Sequence, residues 1–165
     1  MTSPPTTLMR STDATQAASE EDPPDALSLL MADHYHLHNL FAHFEHALST
    51  TRKESLRDQI CRELIVHMQI EEEILYPAIE VSADHPLLLT EATVEHAGIK
   101  HLVGQLRQAD VDQPTTMARM KVLSEYVAHH VQEEHDAMFP MVRASSLDLA
   151  ELGVRLAARH RELLT

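Results

Sequence analysis

From Asp25 onward, apolar residues recur every three or four positions in five successive stretches, the period of an amphipathic helix. The first stripe reads Leu27, Leu30, His34, Leu37, Phe41, Phe44, Leu48 and predicts a helix from an Asp25 N-cap to about Ser49. A second follows the capping-box pattern Thr51-x-x-Glu54 and runs through Leu56, Ile60, Leu64, His67, Glu71 and Ile74. Pro77 is expected to kink this helix or mark its last turns, because its ring displaces the hydrogen bond to Glu73. Asp84-His85-Pro86 reads as the cap and first turn of a third helix, with the stripe Leu89, Thr93, His96, Ile99 or Lys100, Val103, Leu106. After Asp112-Gln113-Pro114-Thr115, a fourth carries Met120, Leu123, Val127, His130, Glu134, Ala137 and Met141, with Pro140 near its end. Ser145-Ser146 and Asp148 cap a shorter fifth, from Leu147 to about Leu164, with Leu149, Leu152, Leu156 and Leu163 on one side.

Four long helices with short connections predict an all-α, up-down-up-down four-helix bundle over residues 25–145. The short fifth helix, within 146–165, is expected to pack on its outside or end. Residues 1–24, rich in Thr, Ser and Pro, lack this periodicity and read as a disordered tail.

The stripes are interrupted by polar residues, and the interruptions repeat. His67-Met68-Gln69-Ile70-Glu71 is followed by Tyr76-Pro77; His130-Val131-Gln132-Glu133-Glu134, shifted by 63 residues, is followed by Phe139-Pro140. Four residues of helix turn roughly 400° and rise about 6 Å, so each His and Glu stack on one face. Asp33-His34 matches Glu95-His96 at a shift of 62. His34, His67, Glu71, His96, His130 and Glu134 are therefore expected to converge at one level of the core. Buried polar groups cost stability unless partnered, and imidazole with carboxylate is the ligand set of iron, manganese or zinc. The spacing suits two ions, one taking His34 with His67 and the other His96 with His130, with Glu71 and Glu134 as bridges. Positions would remain open for water, oxide, oxygen or peroxide.

Composition narrows the alternatives. The 165 residues carry a formal charge of −13 at pH 7, so neither nucleic acid nor an anionic membrane is an expected partner. The single cysteine, Cys61, excludes an internal disulfide and a cysteine-built cluster. With no apolar leader and no run near the ~18 residues of a membrane span, a cytoplasmic location is the expectation. There is no Glu-x-x-His pair of the ferritin type, no nucleophile elbow and no glycine-rich phosphate loop.

The set Asp33-His34, His67-x-x-x-Glu71 with Tyr76-Pro77, Glu95-His96, and His130-x-x-x-Glu134 with Phe139-Pro140 resembles the hemerythrin-like (HHE) domain over about residues 25–145. The resemblance implies two iron ions, bridged by oxide or hydroxide, that handle O2, nitric oxide or peroxide, or that sense iron. His34, His67, His96 and His130 would be terminal ligands; Glu71 and Glu134 would bridge. Oxygen-carrying hemerythrins have a second His in the third helix, where this chain has Lys100, and an Asp five residues after the fourth-helix His, where it has His135. The resemblance is closer to the bacterial variants and to the iron-sensing domain of an F-box protein.

Lys100 is open to several readings: leaving an ion short of a ligand, pairing with Glu134, or binding an exogenous ligand. His38, its counterpart under the 62-residue shift, is a candidate seventh ligand. Tyr126, one turn before His130, is a candidate hydrogen-bond donor to a bound oxygen or peroxide. Glu72, Glu73, Glu133 and His135 read as solvated charges beside the ligand face. A small diatomic ligand or peroxide is the expected partner of a monomer or homodimer, without dedicated substrate turnover beyond oxidoreductase activity on peroxide or nitric oxide. Two other classes stay open: a redox-inert zinc or mixed-metal protein, and a helical interaction module.

Overall fold

The computed structural model describes residues 24–82 and 86–165. The chain forms α1 (Ala26–His46), α2 (Thr50–Ile70), α3 (Tyr76–Ser82), α4 (Pro86–Leu106), α5 (Pro114–Glu133), α6 (Phe139–Ala144) and α7 (Leu149–Leu164). Two π-helical segments, Glu71–Leu75 and Glu134–Met138, join α2 to α3 and α5 to α6, so each pair is one continuous rod. Four rods therefore build an all-α bundle, with α7 as the short C-terminal addition.

Local chemistry sets the ends. The Asp25 side chain accepts from the Ser28 N–H at 2.8 Å and starts α1. Ser49, not Thr51, caps α2, accepting from the Arg52 N–H. Pro114 opens α5, where its missing donor costs nothing, and Asp148 caps α7 through the Glu151 N–H. α1 stops at His46, short of the expected Ser49, which leaves Leu48 exposed in the connection. The Asp84-His85 cap expected for α4 and residues 1–23 of the expected tail lie outside the described residues.

α1 packs on α2, α2 on α4, α4 on α5 and α5 on α1, closing the bundle; α7 lies across α1 and α2. At Gly153 the helix comes close to the start of α1, where an added Cβ would collide with the Pro24 carbonyl oxygen and the Ala26 backbone nitrogen. Two apolar clusters fill the interior. One gathers Leu37, Phe44, Leu56, Ile60, Leu64, Val103 and Leu123; the other gathers Leu27, Leu30, Leu75, Ile79, Met138, Val142 and Leu156. A buried polar layer lies between them along the rods: His34, His67, Glu71, His96, His130 and Glu134. No helix among the described residues is long and apolar enough to cross a membrane.

The π turns change which residues face inward. Each starts at the glutamate of a His-x-x-x-Glu pair and ends just before an aromatic-Pro pair. The Tyr76 N–H reaches back five residues to the Glu71 carbonyl, and the Phe139 N–H to that of Glu134. The widened turn accommodates each proline ring, and the rods run on to Ser82 and Ala144. One extra residue per turn rotates everything beyond it by about 100°. The expected inward residues Ile74, Ala137 and Met141 are accordingly only half-buried. Leu75, Tyr76, Met138, Phe139 and Val142 take the core positions instead.

Candidate metal centre

The structure brings together all six residues singled out at one level of the bundle. α1 supplies His34, α2 His67, α4 His96 and α5 His130; Glu71 and Glu134 are the first residues of the two π turns. The Nε2 atoms of His34 and His67 are 3.0 Å apart, as are those of His96 and His130. Glu71 spans the two pairs, with Oε1 3.4 Å from His67 Nε2 and Oε2 3.4 Å from His96 Nε2. Glu134 spans them the other way, with Oε2 3.2 Å from His34 and Oε1 3.6 Å from His130. Two groups able to hold a cation result: His34, His67, Glu71 and Glu134, and His96 and His130 with Glu71 shared.

The donor chemistry fits divalent cations. Two imidazole nitrogens each about 2.1 Å from one ion, at a right angle, are about 3 Å apart. Neither oxygen of Glu71 meets a hydrogen-bond donor although the side chain is fully buried. Such a carboxylate is costly to keep unless a cation is its partner. Burial, reinforced by the neighbouring charge of Glu134, pushes the Glu71 pKa well above the carboxylate range. Burial also lowers His34 and His96 to about 4, keeping them neutral, as a ligand must be. Burial opposes ionisation of Glu134 too, but the electrostatic attraction of the surrounding imidazoles, His34 first, outweighs it and holds that pKa at about 2.

A second layer orients the imidazoles. His67 Nδ1 faces Asp33 at 3.5 Å, and His130 Nδ1 faces Glu95 at 2.8 Å. The Asp33 and Glu95 that precede His34 and His96 thus serve the histidine of the neighbouring helix. His96 Nδ1 faces Glu72 at 2.9 Å, and His34 Nδ1 faces His135 Nε2 at 3.0 Å. Glu72 and His135, expected as solvated charges, support the layer instead. The Tyr76 ring stacks near His96 with centroids 5.4 Å apart, and Phe139 on His34 at 5.8 Å. The Tyr76 hydroxyl stands 3.2 Å from His96 Nε2 and 3.4 Å from Glu134 Oε1. Burial, then the charges of Glu71 and Glu134, push its pKa far up, so it keeps its proton.

Three other candidates are placed elsewhere. Lys100 pairs with Glu72 at 2.6 and 2.7 Å rather than with Glu134. His38 is exposed and lines a groove of about 610 Å³ with Phe41, Phe44, Met117 and Met120, outside both cation groups. Tyr126 does not point inward; it is 52% exposed, its ring against Gly98. The hydroxyl at the centre is that of Tyr76, which α-helical spacing from Glu71 places off the face and the π turn brings onto it. The aromatic-Pro suffix shared by the two halves was its only signal in the sequence.

Comparisons with known proteins show the family and the fold. The sequence model of the Hemerythrin HHE cation binding domain matches residues 25–142. A crystal structure of a hemerythrin HHE cation binding domain-containing protein from Mycobacterium kansasii superposes with a TM-score of 0.73 at 25% identity, covering 85% of this chain and 87% of that one. A curated relative from Nostoc sp. (strain PCC 7120), described as a DNA nickase, is 25% identical over 129 residues. The match spans 78% of this chain but only 36% of that relative.

Proposed function

Because the chain belongs to the hemerythrin HHE cation-binding domain family, we propose that its buried layer holds two iron ions and binds or reacts with O2, nitric oxide or peroxide. One observation carries this reading: two imidazole pairs, each with Nε2 atoms 3.0 Å apart, are joined by two carboxylates that each present one oxygen to either pair. His34 with His67 would hold one ion and His96 with His130 the other, with Glu71 and Glu134 between them. Iron held there would supply the electron-transfer chemistry that these small oxidants require.

The chain's own groups do the rest. Asp33, Glu95 and Glu72 accept from imidazole Nδ1–H groups and turn Nε2 inward. The apolar clusters on either side keep bulk water from the layer. Tyr76 holds a proton within reach of Glu134 and replaces Tyr126 as the proposed donor to a bound ligand. Beside it, a cleft of about 460 Å³ lined by Glu72, Tyr76, Pro77, Glu80, Leu89 and Thr93 offers a route for small molecules. The DNA nicking named for the Nostoc relative is not carried over, since the match covers about a third of that protein and a net charge of −13 repels DNA.

The test is elemental analysis of aerobically purified protein with near-ultraviolet spectroscopy. About two irons per chain, with charge-transfer absorption that changes on adding peroxide, is the expected result. Stoichiometric zinc with no iron uptake on reconstitution would replace this reading by that of a redox-inert zinc protein. The paired substitution Glu71→Ala with Glu134→Ala is expected to abolish dinuclear binding; retention of both ions would refute the bridging assignment.

A further inference from the structure

The two halves of the centre are related by the repeat of about 63 residues, yet their supporting layers differ at one position in each half. Glu72 corresponds to His135 under the shift, and each faces the Nδ1 of a corresponding histidine, His96 or His34. A carboxylate only accepts, so Glu72 requires the proton on Nδ1 of His96 and leaves the Nε2 lone pair aimed into the layer. Lys100 Nζ donates to both Glu72 oxygens, at 2.7 and 2.6 Å, and fixes this carboxylate as an acceptor toward His96. Glu95 imposes the same choice on His130 at 2.8 Å. An imidazole can donate or accept, so His135 imposes no choice on His34. His34 Nε2 lies 3.2 Å from Glu134 Oε2 with no hydrogen bond between them, so nothing on that side sets the tautomer either. The remaining support of that pair, Asp33 on His67, is the longest at 3.5 Å.

We propose that the two half-sites are unequal: the His96–His130 pair is preorganised and takes the first divalent cation. The His34–His67 pair takes the second more weakly, because His135 leaves the His34 tautomer unset. This rests on the reading that the six residues hold two ions. Outer-layer partners of this kind change metal affinity by about 10–100-fold, so two separated binding steps follow. A protein built this way holds one ion firmly and exchanges the other with its surroundings.

The test uses the full chain, stripped of metal by chelator and titrated with zinc, a diamagnetic and redox-inert probe. Histidine ring nitrogens are followed by NMR, and affinities by chelator competition. At one equivalent the His96 and His130 signals are expected to move while those of His34 and His67 stay; the latter move with the second equivalent, at least tenfold weaker. His135 is exposed, so it can be replaced without opening the core. His135→Glu, an acceptor only, is expected to tighten the second step about tenfold or more. His135→Gln, which like imidazole can donate or accept, should leave that step weak. Two zinc ions filling all four rings together, His34 and His67 filling first, or no change in the second step with His135→Glu would each overturn the inequality while leaving the dinuclear reading intact. Zinc that moves none of the four rings would refute the dinuclear reading, and this inference with it.

Discussion

Glu71 is a group whose removal should act in opposite directions on the metal-free and metal-loaded protein. Its side chain is fully buried and neither oxygen meets a hydrogen-bond donor. In the metal-free chain it therefore bears the desolvation cost of an unsatisfied polar group, about 1–3 kcal/mol. Replacing it with methionine, a flexible apolar chain of similar reach, removes that cost and fills space in the layer. The chelator-treated Glu71→Met variant should thus be more stable than chelator-treated wild type by about 1–3 kcal/mol. At about 2–4 °C per kcal/mol for a chain of this size, Tm should rise by roughly 2–12 °C. After metal is added the order should reverse, since the variant lacks an oxygen for each imidazole pair and forfeits the stabilisation that ligand binding confers on the native state. Paired thermal scans with and without metal, alongside metal content, measure both signs. A metal-free variant less stable than wild type would show that Glu71 is a satisfied core residue and refute the argument. Two ions retained in the variant would refute its bridging role.

Tyr76→Phe keeps the ring stack on His96 and removes only the hydroxyl. It should keep two ions, cost about 1 kcal/mol or less in stability and alter the spectral response to peroxide; an unchanged response would return Tyr76 to a packing role. Gly153→Ala drives a Cβ into the Pro24 carbonyl oxygen. It should destabilise the protein by about 1–3 kcal/mol, and a neutral result in urea unfolding would show that α7 shifts freely on α1. The metal-free protein should also lose stability on mild acidification. The folded-state pKa values of His34 and His96, lowered to about 4 from 6.5, mean that the unfolded chain binds more protons between those limits. Stability is therefore full above about pH 6.5 and falls toward pH 4, by up to about 3 kcal/mol per histidine. Glu71, raised by burial, works against this as pH falls, so Glu71→Met should steepen the loss; a flat urea-unfolding midpoint from pH 7 to 5 in that variant would refute it.

The six central residues were legible from sequence because each His-x-x-x-Glu pair lies within a single helical turn, where spacing alone sets the face. His34 and His96 could be added because the two halves repeat. The helix start at Asp25 was legible for the same local reason, whereas Ser49 displaced the expected Thr51 cap because caps compete over a few residues. Beyond Glu71 and Glu134 the buried positions in both rods lie one residue later than an uninterrupted α-helix would place them. Proline in a helix permits either a kink or a widened turn, and the choice depends on what the following residues can bury. The widened turn buries Leu75 and Met138 in the apolar cluster with Leu27, Leu30 and Leu156, and brings Tyr76 and Phe139 onto the imidazoles.

By itself the sequence determined the helices, the repeat and the donor set, since these follow from periodicity and residue chemistry within one segment. Only the tertiary structure decided which carboxylate serves which imidazole. Asp33 faces His67, Glu95 faces His130, and Glu72, held by Lys100, faces His96. These contacts join different helices, so their partners depend on the rotation of each rod and on the distance between rods. No spacing along one chain segment encodes either quantity.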